Sequence, residues 1–382
     1  MPVRTSDSAG VLADLIAQLG PRQATSTAEA IAAAQINARL RQAGFSVATH
    51  SVPATAHPGT RLAPVAIGLM AAIGLAAWQP VLGIALGFWL MALLLIDGIY
   101  APLPPLRQRG ISQNIIAVRP IEASDTQTPP QPRWRLLLLA PLDTPPVWRG
   151  IARLIAPTYE GLLARLALGS LPLAIAVTAT ASALRWTLAI GAFAGALLLF
   201  WASRRQPPLI QPDGGIAALA TLITVAQHLP RLQRVEVWAA AVGAAYCDHH
   251  SVRTLLAHYP FATTNTFIIG LGPLACGQLA IISRNGIFRH KVADPLLYRL
   301  AMDADQTDPV IDLEPRTQAA NDELLSPLQQ RGFRTLSIRA IADGNHVLDP
   351  SLTERAARLI IAIIHALDTD KTHDNLSVLR TK

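Results

Sequence analysis

The chain has 382 residues, of which 51% are hydrophobic and only 15% charged, and its formal net charge is +7. Such a composition excludes a disordered chain and an ordinary soluble enzyme, and it points to membrane-embedded length. The positive charge is mostly arginine, and no basic helix or aromatic-basic interleaving accompanies it. No nucleic-acid partner is therefore expected, and basic residues beside apolar runs fit a membrane surface.

The opening MPVRTSDSAG has no apolar core behind it, so it does not read as a secretory signal. A helix is predicted from Ser26, a good N-cap, to Gly44, a good residue just past a helix end. FSVATHSV then alternates as a strand. The stretch from Leu62 to Ile96 contains no charged residue and is broken by Gln79–Pro80. Each half is near the roughly 17-residue minimum for crossing the hydrocarbon core. SQNIIAVRP and RWRLLLLA read as strands. A second apolar run extends from about Leu166 to Ala202, and Arg185–Trp186 reads as its turn. After it come a helix in GGIAALATLITVAQHL, a strand in VEVWAAAV, a helix in HHSVRTLLAHY, and strands in NTFIIGLG and LAIISRN. FRTLSIRAI is a late strand and SLTERAARLIIAIIHALD the closing helix. The expectation is an α/β fold, a mixed sheet flanked by helices, interrupted by two transmembrane helical hairpins. The domain spans residues 1–60, 99–160 and 206–382, with hairpins at 61–98 and 161–205.

Each hairpin returns the chain to its starting side. Arg61, Arg107, Arg109, Arg149, Arg153, Arg204 and Arg205 flank that side, and only Arg185 lies at a tight turn. The positive-inside rule then puts the polar domain and both termini in the cytoplasm, with lipid around four spans. The scarcity of cysteine (Cys247 and Cys276 alone) fits a reducing compartment. Gly83/Gly87 and Gly191/Gly195 are small-residue pairs that let helices approach closely. No acid, lysine or histidine is read inside the spans, against an ion-coupled transporter.

The polar segments resemble the zinc-dependent aminopeptidase and glutamate carboxypeptidase family. The opening turn Gly20–Arg22 is similar to that family's Gly-Pro-Arg turn, and SQNIIAVRP to its Ser-x-Asn-(Val/Ile)-Ile-Ala strand. LLLLAPLDT stands where the family has a strand ending Ala-His-x-Asp-Ser. DGGIAALATLITVAQHL resembles the Asp-Asn-x-x-Gly-(Val/Ile)-Ala-Ala-Leu helix, VEVWAAAVGAAYCDHH the strand before Gly-x-Glu-Glu, and GNHVLDP the final His-Thr-x-x-Asp segment. The resemblance implies a zinc-exopeptidase-like three-layer sandwich. It also implies two zinc ions on five side chains and a glutamate as general base. Here the chemistry is missing. The first ligand falls on Pro141, the base and ligand pair on Ala245 and Tyr246, and a later aspartate on Gly272. The orienting aspartate survives as Asp143. Asp213 and His346 are the remaining ligand candidates, although Asp213 lies too close to Gly215 and Asp349 too close to His346 for the family spacing. A catalytic zinc keeps three protein ligands and an open position, so neither water activation nor a bound metal is expected.

Cys247, Asp248, His249 and His250 are legal metal ligands, but consecutive residues point different ways. Asp248 is read as a helix N-cap with exposed histidines after it. Asp143 is read either as a cleft residue or as an Asp-Thr-Pro-Pro turn, and His346 as a cleft or turn residue. No Gly-x-Ser-x-Gly elbow or phosphate loop is present. The leading expectation is a polytopic membrane protein whose peptidase-like domain binds a peptide or protein, or acts as a scaffold, without hydrolysing it. The alternatives are an active zinc metallo-exopeptidase with rewired ligands, and a structural subunit of a membrane complex.

Overall fold

The computed structural model describes residues 5–100, 110–121, 132–178, 182–210, 214–247, 249–259, 261–287, 290–341 and 347–369. In chain order the elements begin α1 (Thr5–Gln18), α2 (Thr27–Gln42), β1 (Ser46–Ala54), α3 (Ala63–Trp78), α4 (Pro80–Tyr100), β2 (Gly110–Arg119) and β3 (Trp134–Pro141). Next come α5 (Tyr159–Val177), α6 (Ser182–Arg204), α7 (Gly214–His228), β4 (Val235–Val242), α8 (His250–His258), β5 (Thr266–Leu271) and β6 (Gln278–Asn285). The last are β7 (Lys291–Val292), α9 (Pro295–Thr307), β8 (Glu314–Gln318), α10 (Ser326–Gln330), β9 (Arg334–Ile341) and α11 (Ser351–Thr369).

The described strands form one mixed sheet in the order β1-β2-β4-β3-β5-β9-β6-β7, with β8 pairing β6. The four central strands β4, β3, β5 and β9 are parallel neighbours; β1 and β2 run antiparallel to theirs, and β6 is antiparallel to β9 and β7 and parallel to β8. The alternation of side chains along a strand sets the layers. From β3, Leu136, Leu138 and Ala140 enter the larger core, with residues of α1, α2, α7, α9 and α11. Leu137 and Leu139 enter the opposite core, with Val252 and Leu255 of α8 and Leu328 of α10. A strand buried on both faces needs apolar residues at every position, which is why RWRLLLLA does not alternate. α2 starts as its sequence implies: the Ser26 hydroxyl accepts from the Glu29 N–H at 3.2 Å, and Gly44 takes φ +84° past its end.

α3 to α6 pack as one four-helix bundle with its own core. Four helices, Thr60–Trp78, Pro80–Gly98, Tyr159–Val177 and Ala183–Arg204, are long and apolar enough to cross a membrane. The bundle leaves large apolar side chains on its outside, Trp78, Val81 and Val177 each near 80% exposed. The helices differ from expectation in three ways. α4 carries an acid, Asp97, which is buried; the apolar run ends one residue before it, so the helix outlasts the run. α5 starts at Tyr159, capped by the Thr158 hydroxyl, so Arg165 lies inside the helix. Arg185–Trp186 lies within α6 and is not the turn of the hairpin; its guanidinium sits over the adjacent indole, 5.8 Å from the ring centre.

Of the four paired glycines, three are packed. A Cβ on Gly83 would strike the Ala76 backbone of α3, one on Gly87 would meet Pro172 of α5, and one on Gly195 would meet Leu168 of α5. Gly191 faces open space. Gly83→Val is expected to destabilise the bundle by about 1–3 kcal/mol, the usual cost of overpacking, whereas Gly191→Val is expected to be neutral. Thermal unfolding of the two variants in detergent checks this.

Candidate functional site

Strand order reverses at β3: the chain passes from β3 to β4 on one side, then crosses to β5 on the other. In an open parallel sheet the crevice outside the C-terminal strand ends at such a point is the favoured place for a ligand. Four segments converge there: the residues after β3, β4 and β5, and the end of β9. Pro141 is the last residue of β3, in register with Val242 of β4.

Asp143 lies just beyond and is 2% exposed. Its two carboxylate oxygens accept the backbone N–H groups of Ala245 at 2.9 Å and Tyr246 at 3.1 Å. It is therefore neither a cleft-lining group nor a local turn. It is the brace that holds the β4 turn to the end of β3. Burial, and then the nearby Glu29 carboxylate, push its pKa up to about 8. Glu29 is buried too. It accepts from the N–H groups of Ala244 at 2.7 Å and Thr25 at 2.6 Å, and from the Ser112 hydroxyl at 3.0 Å. Its pKa is likewise raised by burial. Ala244 is held with φ +50°, a left-handed conformation that costs a non-glycine residue of order 1–3 kcal/mol. The Gly20–Arg22 turn docks beneath: Arg22 Nε donates to the Leu142 carbonyl at 2.6 Å, and Arg22 and Thr144 exchange two further bonds.

At Gly272 the space for a side chain is taken. A Cβ there would lie 3.0 Å from Nε and 3.2 Å from Nη2 of Arg339 in β9. The Arg339 guanidinium pairs with Asp322 at 3.3 Å and bonds the Gln318 amide oxygen at 2.6 Å. A cavity of about 200 Å³ borders these groups, with Trp148, Tyr246 and Glu323 among its walls. Beside it a tighter cavity of about 40 Å³ is lined by Tyr246, Cys247, His249 and Glu323 from the sheet side. Arg61, Asp97 and Arg165 line it from the helix bundle. Burial pushes the Glu323 carboxyl up to about 8 and the Tyr246 phenol above its ordinary value. The same cause, followed by Arg61, pulls His249 down to about 3. All three are neutral near pH 7.

The structure does not expose the two histidines: His249 and His250 are half-buried. His249 is itself the residue preceding α8, and its Nδ1–H donates to the Glu323 carbonyl at 3.0 Å. The partner comes from the segment between β8 and α10, a long-range contact that the local pattern could not announce. Cys247 lines the smaller cavity, and Cys247 and Cys276 are both thiols. Asp349 is turned to the start of α11, where its carboxylate accepts from the Ser351 N–H at 2.9 Å. Asp213, Asp248 and His346 lie outside the described residues.

The described residues do not fit a pair of zinc ions. Pro141, Ala245 and Gly272 offer no side-chain donor, both Asp143 oxygens are spent on amides, and a guanidinium fills the space at Gly272. Among the described residues no group of three or more His, Cys, Asp or Glu side chains is placed to hold a metal ion.

No family model matches the sequence. The search of curated proteins gives no match either. Solved structures do match. A zinc aminopeptidase from Bacillus subtilis superposes with a TM-score of 0.54 at 10% identity, covering 97% of each chain. The fold is that of the zinc aminopeptidases. A Zn-dependent exopeptidase from Parabacteroides distasonis gives a TM-score of 0.51 at 12% identity, over 95% of this chain and 98% of its own. A glutaminyl cyclase from Porphyromonas gingivalis gives 0.51 at 10% identity, over 96% and 99%.

Sequence reasoning placed Asp143, Ala245, Tyr246 and Gly272 at one end of the sheet but missed the groups that now define it: Glu29, Arg339, Asp322, Glu323, Asp97 and Arg165. Asp97 alone carried a signal, as a lone acid at the end of a long apolar run. Because Asp143 holds its proton more tightly when folded, its contribution to stability is full below the ordinary carboxyl value of 3.8 and is lost as pH rises through about 8. Glu323 adds to the same trend. Stability is expected to fall as pH rises to about 8, most steeply above 6.5, below which neutral His249 opposes the trend, and Asp143→Asn to make that fall shallower. Thermal midpoints of both proteins across that range check it.

Proposed function

We propose that this chain is a polytopic membrane protein, crossing the bilayer four times, whose peptidase-like domain holds a ligand without hydrolysing it. The observation that carries the reading is the use made of the positions where hydrolytic machinery would stand. The amides of Ala245 and Tyr246 hold Asp143, and Arg339 takes the room beside Gly272. With no general base and no donor set for a metal among these residues, nothing there activates water.

Support for the membrane crossing comes from the helices. Each candidate span has 19 to 22 residues, which at about 1.5 Å per residue makes at least ~28 Å, close to the hydrocarbon thickness. Trp78 and Trp186 lie at the far tips, and Trp201 sits against Arg205 at the near end, with the guanidinium 3.6 Å from the ring centre. Tryptophans at both ends suit the two interfaces. Arg61, Arg149, Arg153, Arg204 and Arg205 on the domain side favour a cytoplasmic domain. The larger cavity beside Tyr246 and Arg339 is the natural seat for a side chain or terminus of a peptide or protein partner.

Metal analysis and peptide hydrolysis on the purified full-length protein test the reading. The expected result is far less than one zinc per chain and no hydrolysis that a chelator abolishes. Stoichiometric zinc together with chelator-sensitive cleavage would overturn it.

A further inference from the structure

We propose that the small cavity where the hairpin ends meet the sheet binds a zwitterion, a phosphate and an ammonium joined by a short linker. Two guanidinium groups and two carboxyl groups line it, each from a different segment. Arg61 comes from the helical turn Thr60–Leu62, Asp97 from the end of α4, Arg165 from the start of α5, and Glu323 from the segment before α10. His249 also faces it and is neutral.

Two atoms carry the argument. Asp97 is 4% exposed, and its Oδ1 has no hydrogen-bond partner. Arg61 Nε is buried and without a partner as well. The two residues approach no closer than 3.9 Å, from Nε to Oδ2, which is too long for a hydrogen bond. A buried donor and a buried acceptor thus face one cavity, and neither satisfies the other. Native structures rarely leave such groups unmet. A ligand that offers both an oxyanion and an ammonium meets both. A lone anion would leave the Asp97 carboxylate opposed to it, and a metal cation would face Arg61 and Arg165. Guanidinium groups match a phosphate well in geometry and charge. The cavity is small, about 40 Å³, and excludes a peptide chain.

The place suggests the source. Asn321 Nδ2 donates to the Gly98 carbonyl at 2.8 Å, tying the end of α4 to the sheet loop. The cavity thus sits where candidate spans end, at the depth of lipid head groups. A phosphatidylethanolamine head group and free phosphoethanolamine share the chemistry. The lipid source rests on the membrane reading given above; the site itself does not, and it is independent of the zinc result.

Isothermal titration of the full-length protein in nonionic detergent with phosphoethanolamine is the test, with inorganic phosphate and ethanolamine as the two halves. Saturable binding of the zwitterion, at least about tenfold tighter than either half, is expected. Asp97→Asn and Arg61→Gln should each weaken it by about tenfold or more, the loss of one charge-assisted contact. If either variant fails to fold, Arg61→Lys, which keeps the charge and removes the unpartnered Nε donor, should weaken binding in the same direction. Higher thermal stability in phosphatidylethanolamine than in phosphatidylglycerol nanodiscs assigns the site to lipid. Binding of the free compound without that difference assigns it to a soluble zwitterion. No saturable binding in either setting, inorganic phosphate binding as tightly as the zwitterion, or unchanged affinity in folded variants would each overturn the proposal.

Discussion

The contact on which this end of the molecule depends is the Asp143 carboxylate, accepting the N–H groups of Ala245 and Tyr246. It joins the ends of two neighbouring parallel strands, and Glu29 does the same work one residue earlier by holding Ala244. Two buried carboxyl groups thus brace a single turn. An amide left unmet in that place would cost about 1–3 kcal/mol, so the turn is stable only with its braces. The arrangement also fixes the charge: two carboxyls so near each other in a dry place do not both ionise.

Arg339 completes the substitution. A site for metal cations gathers anionic side chains around empty space, whereas here a cation is built into the chain and pairs with Asp322 and the Gln318 amide oxygen. Gly272 is what allows it, because any Cβ at that position would press on the guanidinium. The absence of a side chain and the presence of the arginine are one fact seen from two strands, β5 and β9.

Much of the fold was legible because its signals are local. A strand buried on both faces must be apolar throughout, Ser26 and Gly44 mark the ends of α2 by their own chemistry, and Pro80 divides the first hairpin. The short elements were not legible. β7 has two residues, and β8 reads EPRTQ, with little apolar pattern to mark it. The turn of the second hairpin was misplaced because a charge, Arg185, was taken to end an apolar helix. Arg165 stays inside its helix because its guanidinium finds partners after folding. Asp97 lies by Arg61, and Arg165 donates to the Leu154 and Ala156 carbonyls. Glu29 is the clearest case of hidden information. In the sequence it is the fourth residue of a helix opening, suited to a capping box. Its partner Ala244 is more than two hundred residues away, and no local pattern connects them.

The points where the two helix pairs leave the sheet explain why the helix bundle and the candidate site meet. The first hairpin leaves after β1 and returns to β2, and Ala54 and Gly110 are paired in the ladder, so departure and return are adjacent. β2 runs antiparallel to β4, and β4 parallel to β3, which places the start of β2 at the same end of the sheet as the end of β3. The second hairpin leaves from that end too. Gly59, just before the first hairpin, lies against Ser203, near the close of the second. Both helix pairs therefore emerge at the end of the sheet where strand order reverses. A sheet of this kind offers one crevice for chemistry, and the hairpins stand over it. Charged residues at their bases, Arg61, Asp97 and Arg165, become walls of that crevice as a matter of topology. Whatever enters it meets the helices and the sheet at once, so ligand binding and the packing of the hairpins on the domain draw on the same side chains.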